Sequence, residues 1–178
     1  DNDGYTKLLK VPMNLVLMGP VGSGKSTQGD FLAEKLGIPH ISTGEIFRTS
    51  SDPRIKDLLA RGQLIDDETT YDVVRVRLAT ETAGFILDGF PRTLAQAKKE
   101  LFPVNKVIYV NITDDEAVKR LSLRGRSDDS TEIICERLRI YHQETEPILD
   151  YYRQQNKLIE IDGSGTIEEV AALINQTL

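Results

Sequence analysis

The sequence predicts an α/β three-layer sandwich around a five-stranded parallel sheet. Three observations predict it. Five short apolar runs, at 13–18, 38–42, 85–88, 106–112 and 158–161, have strand length and little polar interruption, as strands covered on both faces do. Stretches with apolar residues at helical spacing separate these runs, so strand and helix alternate along the chain. The first run passes directly into a glycine-rich loop and then into a helix.

Taken in order, 13–18 is the first strand and 24–36 the first helix, with Phe31, Leu32 and Leu36 at helical spacing and Gly37 at its end. The second strand, 38–42, begins beside Pro39, which belongs at a sheet edge or a strand end. Short helices follow at 44–50, 54–61 and 67–79; Asp52-Pro53 is a start signal with proline in the first turn. The third strand is 85–88, followed by a helix over 91–101, and the fourth is 106–112. Asp114 is expected to cap a helix reaching Leu123, and Asp129 with Glu132 to form a capping box for the next. That helix carries Ile134, Leu138, Tyr141, Thr145, Ile148 and Tyr152 on one face, with a kink expected at Pro147. Strand 158–161 and helix 166–177 close the chain. Residues 1–12 lack a period and read as a leader, non-native or flexible, with Met13 a plausible natural start; 13–178 reads as one domain.

The glycine-rich loop is Gly19-Pro20-Val21-Gly22-Ser23-Gly24-Lys25-Ser26-Thr27, which fits G-x-x-x-x-G-K-[ST] between a strand and a helix. Its residue types suit phosphate binding. The glycines let the backbone turn its N–H groups onto an anion at the positive end of the following helix. Lys25 is expected to reach the β- and γ-phosphates and the Ser26 hydroxyl to hold Mg²⁺. The sandwich is therefore of the P-loop nucleoside triphosphate hydrolase-like kind. A partial match of Gly22-x-Gly24 to the dinucleotide fingerprint lacks its third small residue and its acidic partner. Asp88 ends a strand at the same sheet edge and is the candidate to meet the metal, directly or through water. Arg48, Arg92, Arg120, Arg124, Arg126 and Arg137 form a basic set in an acidic chain. Such guanidinium groups neutralise the charge of a migrating phosphoryl group. His40 reads as a strand-end residue rather than a catalyst.

Composition sets outer bounds. A net charge of −6 argues against a general nucleic-acid partner, and no apolar run approaches membrane-span length. A single cysteine excludes an internal disulfide and a cysteine-built structural zinc site. Two histidines and no supported Ser–His–acid set argue against nucleophilic hydrolysis. A cytoplasmic monomer is the expectation.

Four stretches together resemble the nucleoside monophosphate kinases, most closely the adenylate kinase family. They are 19–28, Ile41 to Arg48, Leu87-Asp88-Gly89-Phe90-Pro91-Arg92-Thr93, and 128–152. The resemblance implies Mg·ATP and AMP as substrates and two ADP as products. It implies ATP contacts at Gly22, Ser23, Gly24, Lys25, Ser26 and Thr27, with Arg120, Arg124 on the adenine, and Gly165. It implies AMP contacts at Thr43, Gly44, Arg48, Gln63, Leu64, Ile65, Gly89, Phe90, Pro91, Arg92 and Gln96. Lys25, Arg92, Arg120, Arg126 and Arg137 would be the catalytic set, with Arg126 and Arg137 also gripping the acceptor side. Thr43 and Gln96 would read adenine. The lid, 124–128, is much shortened, and the AMP-side segment within 43–79 is one or two turns short. Both covers are expected to be mobile, since few apolar residues tie them to the core. A kinase for UMP, CMP or another small acceptor, and a slow regulatory protein binding ATP and AMP, stay open as alternatives.

Overall fold

The computed structural model of the chain describes residues 12–126 and 130–178. Apart from Pro12, the expected leader lies outside the described residues, as do Ser127 and Asp128 of the expected lid and Asp129 of the expected capping box. The strands are β1 (Met13–Met18), β2 (His40–Ser42), β3 (Gly84–Asp88), β4 (Lys106–Asn111) and β5 (Leu158–Asp162). All neighbours pair in parallel, in the order β2-β3-β1-β4-β5. Pro39 therefore precedes an edge strand, as its missing N–H requires.

The pleat divides the core into two layers. On one face Leu15, Leu17, Ile86, Ile108 and Val110 pack with Leu32 of α1 (Lys25–Leu36) and with Val170 and Ile174 of α9 (Ile167–Thr177). On the other, Val16, Met18, Val107 and Tyr109 meet Tyr141, Ile148, Leu149 and Tyr152. Alternate residues of β1 feed opposite layers, which is why Leu15 to Met18 are apolar without a break. Each such side chain, wholly removed from water, contributes about 2 kcal/mol.

Between β2 and β3 run α2 (Thr43–Arg48), α3 (Pro53–Ala60) and α4 (Asp67–Leu78). Asp52 accepts from Arg54 N at 2.8 Å, so the Asp-Pro start signal works as read. Phe47, Ile55 and Ile65 form a small core here with Leu58, Leu59 and Val73. Tyr71 and Val74 join Phe85, Leu87 and Phe90 against the sheet. The expectation of few apolar ties is thereby corrected: this segment has a core of its own and a seam to the sheet.

Other boundaries shift for local reasons. The helix expected over 91–101 is only α5 (Leu94–Lys98), because Thr93, in extended backbone, caps the start by accepting from Gln96 N. Helix α6 (Asp114–Arg124) is capped by Thr113 instead of Asp114, which is its first residue. Helix α7 (Thr131–Ile140) is capped by Ser130, whose Oγ accepts from Ile133 N. The kink expected at Pro147 is relieved upstream as a π turn, Tyr141–Thr145, before α8 (Ile148–Gln154). Proline has no N–H to give, and the helix widens before it, with Glu146 N bonding Tyr141 O at 2.9 Å.

Candidate functional site

The sheet order reverses beside β1, so a crevice opens past the carboxyl ends of β1, β3 and β4. The loop from Gly19 to Gly24 enters it. Gly19 has φ 149° and its missing Cβ would fall inside van der Waals contact of the Val110 carbonyl in β4, so only glycine fits there. Helix α1 begins at Lys25 with no side-chain cap, which leaves its first N–H groups for an anion. Lys25 Nζ lies 3.5 Å from the Pro20 carbonyl. The Ser26 hydroxyl donates to Asp88 Oδ2, and Asp88, 3% exposed, stands at the end of β3. A hydroxyl and a carboxylate side by side are the hard oxygen donors that magnesium takes when phosphates and waters complete its shell.

Two adjoining compartments fill the crevice. One, on the side where the donor is expected and called the donor side below, is lined by Gly22, Gly24, Lys25, Ser26, Thr27, Asp88, Arg120, Arg124 and Arg126. The other, on the expected acceptor side, is lined by Gln63, Leu64, Ile65, Gly89, Pro91 and Gln96. Lys25, Gly44, Arg48, Arg92 and Arg137 line both. Four cations thus stand on the boundary, where a group passing from one side to the other would be most negative.

The electrostatics register this crowding. Burial lowers the Lys25 pKa, and Arg92, Arg137 and Arg124 lower it further against the pull of Asp88. Burial likewise weakens the hold of Arg92 on its proton, with Asp88 opposing and Arg48 adding to the effect. An arginine stays charged regardless. Glu45 answers part of the positive charge: it bonds Arg48, lies 3.9 Å from Arg126, and its pKa falls through the Arg48 hydrogen bond above all.

Several expected residues sit differently from a simple contact reading. Gln96 does not face solvent; it is 3% exposed, its Oε1 accepts from Arg92 N at 2.7 Å and its Nε2 donates to Asp67 Oδ1 at 2.8 Å. One lone pair and one N–H of that amide remain for a base. Thr43 is buried and its hydroxyl donates to the Asp88 carbonyl at 3.3 Å. The Phe90 ring packs in the core against Tyr71 and not along either compartment. Ser23 is buried below the loop. Gly165 lines neither compartment; it follows the Gly163 and Ser164 carbonyls, to which Arg120 donates at 3.0 and 3.4 Å.

Sequence reasoning missed Gly62, Thr70, Ile140, Tyr141 and Thr145 in the acceptor lining. Only the buried stripe of the helix containing 141 and 145 hinted at two of them. His40 is tied to the site more closely than expected: Nδ1 meets Asp30 Oδ1 at 2.7 Å and Nε2 lies 3.9 Å from Asp88 Oδ2.

A family model described as Adenylate kinase matches residues 17–157. Among curated proteins, the chain is similar to adenylate kinase of Mycolicibacterium paratuberculosis, at 44% identity over 90% of this chain and 96% of the relative. It is similar to adenylate kinase of Corynebacterium urealyticum, at 40% over 89% and 95%. It is also similar to adenylate kinase of a Synechococcus species, at 38% over 92% and 97%.

Proposed function

Since the chain belongs to the adenylate kinase family, we propose that it moves the γ-phosphoryl group of Mg·ATP reversibly to AMP, giving two ADP. The observation that carries the layout is the row of boundary cations, Lys25, Arg48, Arg92 and Arg137, shared by two compartments. One compartment has a phosphate loop and the other an apolar rim with a buried amide, as a triphosphate donor and a nucleoside monophosphate acceptor would need.

The loop N–H groups from Gly22 to Thr27 and Lys25 hold the ATP phosphates, with Arg124 against the adenine and Arg120 beside the phosphates. Arg48 and Arg92 hold the AMP phosphate. Gln63, Leu64 and Ile65 cover the AMP base, and Gln96 offers it an acceptor and a donor. Arg126 and Arg137 stabilise the migrating group. Phosphoryl transfer asks for position and charge neutralisation more than for a side-chain nucleophile, and fixed guanidinium groups supply both. Ser26 and Asp88 would hold Mg²⁺, Asp88 partly through water. The ion would neutralise phosphate charge there.

The proposed setting is a cytoplasmic monomer without nucleic-acid or membrane partners, which the net charge of −6 suits. Among the described residues no helix is long and apolar enough to cross a membrane.

The test is initial rates of nucleoside diphosphate formation with AMP, UMP and CMP at fixed Mg·ATP. AMP should lead by orders of magnitude, because a pyrimidine leaves the Gln96 amide unmatched. Equal rates with UMP or CMP would overturn the AMP assignment.

A further inference from the structure

Arg92 is fastened at three points. Its amide donates to Gln96 Oε1 at 2.7 Å and its Nε to the Gly89 carbonyl at 2.9 Å. Its own carbonyl accepts from Thr145 Oγ1 at 2.8 Å. The first two partners are near neighbours in the chain; Thr145 is 53 residues away, on another element. We propose that Thr145 is a positioning residue for the acceptor: its hydroxyl holds the Arg92 backbone in register with Arg137, through the π turn that presents it. The proposal rests on the reading of Arg92 as the AMP-phosphate arginine.

Three observations support it. A threonine inside a helix ordinarily bonds a carbonyl three or four residues back in the same helix. Here the hydroxyl is buried, 9% exposed, and gives its proton to a different segment. The second observation is the π turn itself, Tyr141–Thr145. Eight residues of α-helix would carry position 145 about 80° around from position 137. The wider turn rotates less per residue and brings Thr145 back over the face that carries Arg137. Such turns recur at functional sites. The third is that Arg137, Ile140, Tyr141 and Thr145 all line the acceptor compartment. One continuous helical segment therefore carries one phosphate arginine and clamps the backbone of the other. Gln96, Gly89 and the Arg92 loop belong to the sheet side, and the Thr145 hydroxyl joins them to the helical segment that carries Arg137.

The test compares Thr145→Val, Thr145→Ser, Arg92→Lys and the Val–Lys double variant by steady-state kinetics with each substrate varied. Thr145→Val should lower kcat/KM for AMP by roughly tenfold, the worth of one buried hydrogen bond, with KM for ATP within about twofold. Thr145→Ser should behave as the unmodified protein. The double variant should lose less than the product of the single losses, since both act through Arg92. If Thr145→Val fails to fold, Thr145→Cys gives the comparison, with a weaker donor and an intermediate loss. Equal losses toward ATP and AMP, or a serine variant as impaired as the valine one, would make Thr145 a packing residue and overturn the proposal. An impaired Arg92→Lys beside an unaffected Thr145→Val would overturn it alone. An Arg92→Lys variant unchanged toward AMP would overturn the reading of Arg92 and this proposal with it.

Discussion

If Lys25 holds the ATP phosphates as proposed, it serves the reaction at the expense of the ligand-free fold. It is half-buried, and three guanidinium groups add to the burial in disfavouring its charge. Asp88 opposes them. A polyphosphate would reverse the balance, so the lysine is suited to the complex and poorly suited to the empty crevice. Replacing Lys25 by Ala should therefore leave the thermal midpoint unchanged or raise it, while turnover falls by on the order of a hundredfold to a thousandfold. Calorimetry and an ADP assay on the same preparation check both halves. Near-normal turnover would overturn the phosphate role. This residue was legible because a fixed spacing of glycines, lysine and hydroxyl carries its own geometry. The partners of Gln96 were not legible. That Asp67 and the Arg92 amide would claim its side chain depends on where α4 and the 89–93 loop meet, which no local pattern encodes.

At the scale of elements, strand positions were legible to within two residues, because burial on both faces leaves short apolar runs with little polar interruption. Helix ends were less so. Thr113 and Ser130 serve as caps in place of the expected Asp114 and Asp129, since several adjacent Asp, Ser and Thr residues can all cap and only backbone geometry selects among them. The π turn was invisible because its buried positions also fit an α-helical stripe. It places His142 between Glu146 Oε2, at 2.8 Å from Nδ1, and Asp114 at 3.0 Å from Nε2. The ring thereby ties the start of α6 to the turn that continues α7; Tyr141 packs edge-on beside it. The hydrogen bond to Glu146 chiefly, and that to Asp114, raise the His142 pKa above its ordinary 6.5, against the effect of burial. A raised histidine pKa gives stability that is whole below the unfolded value and disappears as pH rises through the folded value. The urea midpoint of the unmodified protein should exceed that of His142→Gln at about pH 5.5, and the gap should close by about pH 8.5. A gap that is constant across that range would mean that the ring acts by packing and not by charge.

The whole molecule is a sheet with two covers, and the covers touch each other's supports. The acceptor-side segment, with its own core of Phe47, Ile55 and Ile65, should move as one body and not as a loose loop. Two of its contacts among the described residues reach across to α7 and Arg126. Gln63 Nε2 donates to Glu136 Oε1 on α7 at 2.7 Å, and Glu136 is locked by Arg139, with its pKa lowered to about 2. Glu45 pairs with Arg48 and approaches Arg126 to 3.9 Å. On the proposed reading, these cross-contacts are what can close the crevice over substrate and exclude water. Exposed pairs of this kind contribute little singly, so closure needs the ligand's phosphates between the arginines to become stable. A bisubstrate analogue joining two adenosines through phosphates should accordingly slow amide exchange in 43–66 as a block, together with 124–126, while β1 and β4 exchange at their former rates. AMP alone should protect the first block and leave the second nearly as it was, because Arg124 and Arg126 line the donor side. Exchange by mass spectrometry resolves both blocks. Equal exchange with and without the analogue would mean a preformed crevice with rigid covers. Protection that fades gradually along 43–66, instead of ending together, would mean that the small core does not hold the segment as a unit.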